Sequence, residues 1–321
     1  MICKICGQAG QPQIHRVREM MFGYREWFTY NECSNCGCLQ IAEIPADLSK
    51  YYPADYYSFT QLPGDKNYNP AQKLMKRLRD RYAIRGRGML GKRLYRRFPN
   101  ENLLSLSGVE NLRKDARILD VGCGAGVLLW DLRNLGFANT MGVDPFLEKE
   151  LEFANGLRIR KQTFFEVGGT WDLIMFHHVL EHLADPIETL QHASRLLSPN
   201  GTCLIRTPTV SSYAWEHYGV NWVQLDAPRH LCIHSDKSID LLAQQAGLKR
   251  TKTCFDSSAF QFWGSEQYCK DIPLMSDKSY MVNRATSLFS KGEIADFKTQ
   301  AEKLNAEKHG DSAVYYFSRV E

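Results

Sequence analysis

No run of about 18 apolar residues occurs in the chain, so no segment has the length of a membrane-spanning helix. Met1-Ile2-Cys3-Lys4 opens without an apolar core, so no signal peptide is expected there. The pairing expected of a disulfide scaffold is also lacking. Four of the ten cysteines form two C-x-x-C pairs and most others lie in apolar runs, which points to a reducing compartment and a metal. A cytoplasmic location is expected. With 44% hydrophobic and 24% charged residues, the composition is that of a globular protein, and 321 residues exceed one ordinary small domain.

Net charge is small, +4, but unevenly placed. Between Lys73 and Arg97 stand eleven basic residues against Asp80 alone, so this block carries +10 and the remainder −6. Leu74, Leu78 and Tyr82 are spaced as a helical stripe, as are Leu90, Leu94 and Phe98, around a joint at Arg85-Gly86-Arg87-Gly88. The block has few interleaved aromatics and contains no recognisable RNA-binding module, which argues against nucleic acid. Three readings remain: a peripheral contact with the inner face of a membrane, a grip on a phosphorylated acceptor, or a solvated cover over the core.

Cys3-Lys4-Ile5-Cys6-Gly7 and Cys33-Ser34-Asn35-Cys36-Gly37 are two knuckles of equal spacing. Four thiolates brought together by such turns suit a tetrahedral Zn²⁺, so Cys3, Cys6, Cys33 and Cys36 are expected to form a structural zinc ribbon over residues 1–45. Cys38 reads as a buried residue or a spare ligand. A tyrosine-rich segment, Leu48 to Phe59, and the basic helices make up 46–100.

Ile118 to Gly126 reads I-L-D-V-G-C-G-A-G: an apolar strand ending in Asp120, then Gly122, Cys123, Gly124 and Gly126, then the amphipathic start of a helix. Some 20 residues on, a second short apolar run ends at Asp144, a spacing suited to a ribose diol. Strands are expected at 117–121, 140–143, inside 158–166, 171–176 and 202–206, and helices at 125–135, near 147–154 and at 186–197. Ser238 to Ala246 reads as a helix closed by Gly247, Thr251 to Phe255 as a sixth strand and Ala313 to Val320 as a seventh, antiparallel one. This predicts an α/β, doubly wound, mostly parallel seven-stranded sheet over 101–321, with acceptor-side insertions at 207–236 and 262–308. Asp120, Asp144, the Thr163-Phe164 region and His177 should meet in one crevice at the carboxyl ends of the strands.

A dinucleotide fingerprint requires Gly or Ala where Val127 stands. D-x-G-x-G-x-G followed by an acid instead resembles the class I methyltransferases that bind S-adenosylmethionine (SAM). The resemblance continues through Trp171 to His182, Asp185-Pro186 and Leu196 to Thr202. It implies that Gly122 to Gly124 touch the methionine part of SAM, that Asp144 holds the ribose, and that Pro145 and Phe146 flank the adenine. A zinc ribbon, a tyrosine segment and this core together resemble the bacterial deoxysugar C-methyltransferases and the methyltransferases of polysaccharide clusters. That resemblance carries Tyr56 or Tyr57 into the active site and places His182 in the acceptor pocket. It also makes His230, in W-x-x-x-D-x-P-R-H-L, the general base. His178, Glu181, Trp222 and Arg229 are the expected acceptor contacts, with Arg229 also lowering the pKa of His230. The ubiquinone-pathway O-methyltransferases offer a second resemblance: they hold a divalent ion with acid-x-x-Glu-His, and His178 replaces the first acid here.

The expected activity is methyl transfer from SAM to a small acceptor, a sugar, nucleotide-sugar or glycan hydroxyl or carbon, aligned against a histidine base. The alternatives are a membrane-associated quinone-type O-methyltransferase, whose acceptor would be lipid-linked, and a non-catalytic binding module on the same fold.

Overall fold

The structure is a computed structural model, and it describes residues 2–53 and 68–320. Two sheets organise the described chain. The smaller begins with β1 (Gln13–Arg18), β2 (Trp27–Glu32) and β3 (Leu39–Ile41), all antiparallel. Two helices follow, α1 (Pro70–Arg85) and α2 (Met89–Arg97), on either side of the expected joint. Asn69 caps α1 with a capping box, and Gly86 ends it at φ +63°.

The larger sheet is built from β4 (Ile118–Val121), β5 (Thr140–Val143), β6 (Leu151–Glu152), β7 (Arg158–Arg160), β8 (Trp171–His177) and β9 (Leu197–Pro208), then β11 (Leu248–Phe255) and β12 (Ser312–Arg319). β10 (Cys232–Ile233) belongs to the small sheet. The order is β11-β12-β9-β8-β4-β5-β7-β6; β9 through β7 run parallel, and β12 lies antiparallel between β9 and β11. Ile118–Val121 is buried on both faces, as its unbroken apolar run requires of a central parallel strand. The main helices of this part are α3 (Val127–Asn134), α4 (Pro186–Leu196), α5 (Tyr213–Tyr218), α6 (Asp236–Gln245), α7 (Phe260–Cys269) and α8 (Lys291–Ala306). This is the methyltransferase-type Rossmann-like arrangement. The chain reverses its direction of winding between β4 and β8, so the ligand crevice opens above their carboxyl ends.

The sheet has one strand more than the seven expected, and the helix expected near 147–154 is absent. Leu147 to Phe153 has helical composition, but Asn155-Gly156 closes a hairpin that pairs β6 with β7, and Gly156 sits at φ +79°. Phe153 then packs on Trp130 at 5.5 Å, which the hairpin permits.

The expected boundary at residue 45 does not separate two bodies. β10, from the 207–236 insertion, completes the sheet of the N-terminal segment by pairing with β3. The knuckle cysteines pack into the same core as β8 and β9. Gln245 on α6 donates to the Ile5 carbonyl at 2.7 Å. Trp222, expected at the acceptor, is fully buried in the core that the small sheet shares with the 210–231 segment, and its indole N–H donates to Asp311 at 2.9 Å.

Candidate functional site

Above β4 the glycine turn has the shape a close ligand demands. Gly122, Gly124 and Gly126 all take positive φ, and a Cβ on Gly122 would stand 2.6 Å from Val179. Asp144 at the end of β5 accepts N–H bonds from Gly124 and Phe146, each 2.9 Å long, so the turn and the second acid are locked together. Burial raises the Asp144 carboxyl, and it pushes Asp120 up to about 8, with Asp144 adding to the push. One Asp120 oxygen is buried with no hydrogen-bond partner, as are both ring nitrogens of His177 at the end of β8. Burial also drives His177 well below the usual histidine range. Three orphaned polar atoms in one crevice mark a place where a ligand completes the hydrogen bonding. Beside Asp144, Phe146 is 80% exposed and Pro145 is exposed too. Cys123, by contrast, is held as a neutral thiol by burial beside Asp120 and Asp144. The side chains of Thr163 and Phe164 are engaged by the fold. Thr163 caps a short turn with Glu166, and Phe164 packs against Phe176 and His192.

A second cluster stands next to the crevice, where the turn after β8 meets the 222–234 loop. Glu181 is fully buried, yet its carboxyl is held at about 2. Burial opposes this, but the hydrogen bond from His178, with His178 and His182 beside the carboxyl, outweighs it. Thr207 donates to its other oxygen at 3.0 Å. His178 takes φ +53°, a strained conformation for a non-glycine residue, and both its nitrogens are engaged, by Glu181 at 3.2 Å and by Arg206 at 2.8 Å. His182 donates from Nδ1 to the Arg229 carbonyl at 2.9 Å, and the Tyr52 hydroxyl lies 3.2 Å from the same nitrogen.

His230 packs edge-on against His182, with ring centres 4.7 Å apart. Its Nδ1 lies 2.8 Å from the Gln224 carbonyl, which can only accept, so Nδ1 carries the proton and Nε2 keeps a lone pair. Burial, followed by the nearby His182, lowers this imidazole to about 4. The ligand atoms of Glu181, His182 and His230 lie within 4.8 Å of one another, a spacing compatible with a cation.

Residues 91–253 match the family model described as "Methyltransferase domain". The chain belongs to the methyltransferase domain family. Among curated relatives, it is 34% identical over 121 residues to the ubiquinone biosynthesis O-methyltransferase of Caulobacter sp. (strain K31), covering 33% of this chain and 47% of that protein. It is 32% identical over 160 residues to the one of Ruegeria pomeroyi, covering 44% and 63%. The chain spans about half the length of the first of these relatives. Similar solved structures include a SAM-dependent methyltransferase of Archaeoglobus fulgidus, 18% identical, covering 72% of this chain and 100% of that one at a TM-score of 0.42. Another is the magnesium protoporphyrin IX methyltransferase of Synechocystis PCC 6803 with bound SAH, 14% identical, covering 80% and 90% at 0.41.

The residues of the crevice fit SAM. The glycine turn would lie against the methionine part, Asp144 would take the ribose, and the exposed Phe146 ring would offer a face to the adenine. The unpaired Asp120 carboxyl suits a cationic group, whose charge would draw its pKa back down. When bound, SAM supplies an electrophilic sulfonium methyl group.

Two acceptor-side expectations change. Arg229 is fully buried, held by Asp226 at 2.5 and 2.9 Å and by Glu19 at 3.3 Å, with the Tyr51 carbonyl 3.4 Å away. It ties the β1–β2 connection to the 222–234 loop, engaged by internal carboxylates. Nor does Arg229 set the pKa of His230, which burial and His182 lower instead. Tyr56 and Tyr57 lie outside the described residues. Within the described part of the tyrosine segment, Tyr52 is the residue that reaches His182. The run of tyrosines marked the segment, but nothing in it singled out position 52. Thr207 and Tyr30, whose hydroxyl donates to the His230 carbonyl at 2.8 Å, carry no sequence signal at all.

The knuckle sulfurs converge. Cys3 and Cys36 stand 3.7 Å apart, and Cys6 and Cys33 3.6 Å apart, close to the ~3.8 Å edge of a tetrahedron with 2.3 Å bonds. Gly7 and Gly37 share φ +69°, and each donates its N–H to the carbonyl of the first cysteine of its knuckle. This donor set fits Zn²⁺.

Proposed function

We propose that this methyltransferase transfers a methyl group to a hydroxyl of a small quinone-type acceptor taken from an anionic membrane surface, with His230 as the general base. The base assignment is carried by the locked tautomer of His230: a buried, neutral imidazole whose Nε2 keeps its lone pair, with Asp226 Oδ2 3.9 Å away and Glu181 and His182 close by. At neutral pH such a group is unprotonated and can remove the acceptor proton as the bond to the methyl group forms. Tyr52 and His182 would orient the acceptor hydroxyl. Glu181, acting through His178 and His182, would position the rings. Residues 1–45 would serve as a zinc ribbon that supports this loop, 46–100 as the membrane-facing linker, and 101–321 as the transferase proper.

The acceptor class draws on two observations. Curated relatives sharing about a third of their aligned residues with this chain are named ubiquinone biosynthesis O-methyltransferases, which favours a quinone-type hydroxyl over a sugar. On α1 and α2, the expected apolar stripes are only partly covered. Leu74, Met75, Met89, Leu90 and Phe98 are exposed, with Met89 at 91%, and stand among exposed basic residues. Lys76 and Arg79 turn inward, to Asp80 and Asp131. Exposed apolar side chains ringed by Lys and Arg suit a bilayer carrying anionic lipid. Among the described residues no helix is long and apolar enough to cross a membrane.

Sedimentation with vesicles containing phosphatidylglycerol tests the surface. Binding should weaken as salt rises and should be abolished by Leu90→Glu with Arg93→Glu. Binding equal to that on neutral vesicles would remove the membrane from the proposal. Methyl transfer from labelled SAM to quinol-type phenols, compared with nucleotide sugars, tests the acceptor class.

A further inference from the structure

Between the knuckles and the acceptor loop lies a second group of metal-binding side chains that the methyl-transfer site does not use. Cys38 precedes β3, Cys232 lies in β10, and His234 follows it. All three are buried, Cys38 and His234 completely and Cys232 to 5% exposure. Their sulfurs and a ring nitrogen lie within 4.8 Å of one another. The register that pairs Cys232 with Gln40 brings them together across two strands from opposite ends of the chain.

The histidine is in the form a metal requires. Ser238 donates its hydroxyl proton to the Ser235 carbonyl at 3.1 Å and accepts from the Ser235 N–H at 2.9 Å. Its oxygen therefore meets His234 Nδ1, 3.2 Å away, as an acceptor, so Nδ1 carries the ring proton. Nε2 is left with a lone pair in a dry interior and has no hydrogen-bond partner. A second-sphere hydrogen bond that fixes the tautomer in this way is the usual support of a ligating imidazole. The two sulfurs, 3.1 Å apart, are too distant for the ~2.05 Å of a disulfide and are pressed closer than unbonded sulfurs prefer. The Gln40 amide group stands 3.3 Å from Cys38 Sγ and equally from Cys3 Sγ, bridging this group to the knuckle cluster.

We propose that Cys38, Cys232 and His234 bind a second Zn²⁺, distinct from the ion expected at Cys3, Cys6, Cys33 and Cys36. Two thiolates and an imidazole are a borderline-soft donor set of the kind zinc takes. Binding releases the two thiol protons and opens the sulfur pair toward the tetrahedral edge. Gln40 keeps its amide N–H on Cys38 Sγ and Cys3 Sγ, an outer hydrogen bond that suits a thiolate in each group. The ion would staple β3 to the strand that begins two residues after His230, fixing the loop that carries the base.

The test is the zinc content of the full-length protein by plasma mass spectrometry, together with zinc-edge X-ray absorption of the same sample. We expect two ions per chain and a first shell that averages sulfur with nitrogen or oxygen. Cys38→Ser and His234→Gln should each lower the count to one, while Cys33→Ser should also leave one, held by the trio. A single ion per chain with an all-sulfur shell, removed by Cys33→Ser, would overturn the second site and leave the ribbon intact. So would a Cys38–Cys232 disulfide found by intact mass under non-reducing conditions. The wild-type count and shell need no variant to fold. Loss of one ion in Cys33→Ser, against loss of none, separates a failure of the ribbon from a failure of this proposal.

Discussion

Replacing His230 with Asn separates chemistry from packing at the proposed base. The Asn amide can still donate toward the Gln224 carbonyl, so the loop keeps its anchor, while the Nε2 lone pair disappears. Loss of a positioned general base slows turnover by roughly 10²–10⁴, or about 2.7–5.4 kcal/mol in the barrier. Affinity for S-adenosylhomocysteine should stay within about two-fold, because His230 lies on the acceptor side of the crevice. The same substitution has an independent signature in acid. Burial lowers this histidine from 6.5 to about 4. Between those values the unfolded chain takes up a proton that the folded chain refuses, so stability rises with pH through the window and is lost as pH falls from 6.5 toward 4. At pH 5.5 the loss is about 1.4 kcal/mol, which for a chain of this size is ~2 °C in melting temperature. The assay is a pair of melting curves at pH 7.5 and 5.5 for both proteins, with single-turnover methyl transfer at pH 7.5. The wild type should lose ~2 °C more than His230→Asn over that pH step, since His177 remains to titrate in both. Turnover within about three-fold of wild type would remove His230 from the proton transfer. Equal acid sensitivity would show that the imidazole is not held neutral by burial.

Three further outcomes are expected. Asp144→Ala removes the acceptor of the Gly124 and Phe146 N–H groups and should weaken S-adenosylhomocysteine binding at least ten-fold by calorimetry; unchanged affinity would displace Asp144 from the cofactor site. Arg229→Met leaves Glu19 and Asp226 buried without their cation and should cost about 3–5 kcal/mol in denaturant unfolding. An unfolding midpoint equal to wild type would contradict the buried ion triad. Cys33→Ser with Cys36→Ser should release the ribbon's zinc and increase proteolysis within 1–45, and unchanged metal content would defeat the ribbon.

Much of the transferase fold is legible along the chain because its signals are local. A buried parallel strand needs an unbroken apolar run, a close ligand needs glycines at positive φ, and an acid must end each of the first two strands. Ile118 to Gly126 and Met141 to Asp144 show all of this within a few residues. The hairpin at 151–160 was hidden because Leu147 to Phe153 has helical composition, and only the Asn155-Gly156 turn and the packing of Phe153 on Trp130 decide against a helix.

The sequence by itself determined the glycine turn with its two acids and the two C-x-x-C knuckles, since each belongs to a short pattern whose spacing carries the geometry. The tertiary structure decided what surrounds them. Arg229 reads as a substrate-binding cation until Glu19, 210 residues away in sequence, is seen to neutralise it. The N-terminal segment reads as an appendage until β10 joins its sheet, Tyr30 holds the His230 carbonyl, and the Ile41 N–H donates to the Leu231 carbonyl at 2.9 Å. Burial and pairing between residues distant in sequence fix protonation and hydrogen-bond partners. They arise only when strands from both ends of the chain meet, so no local pattern encodes them.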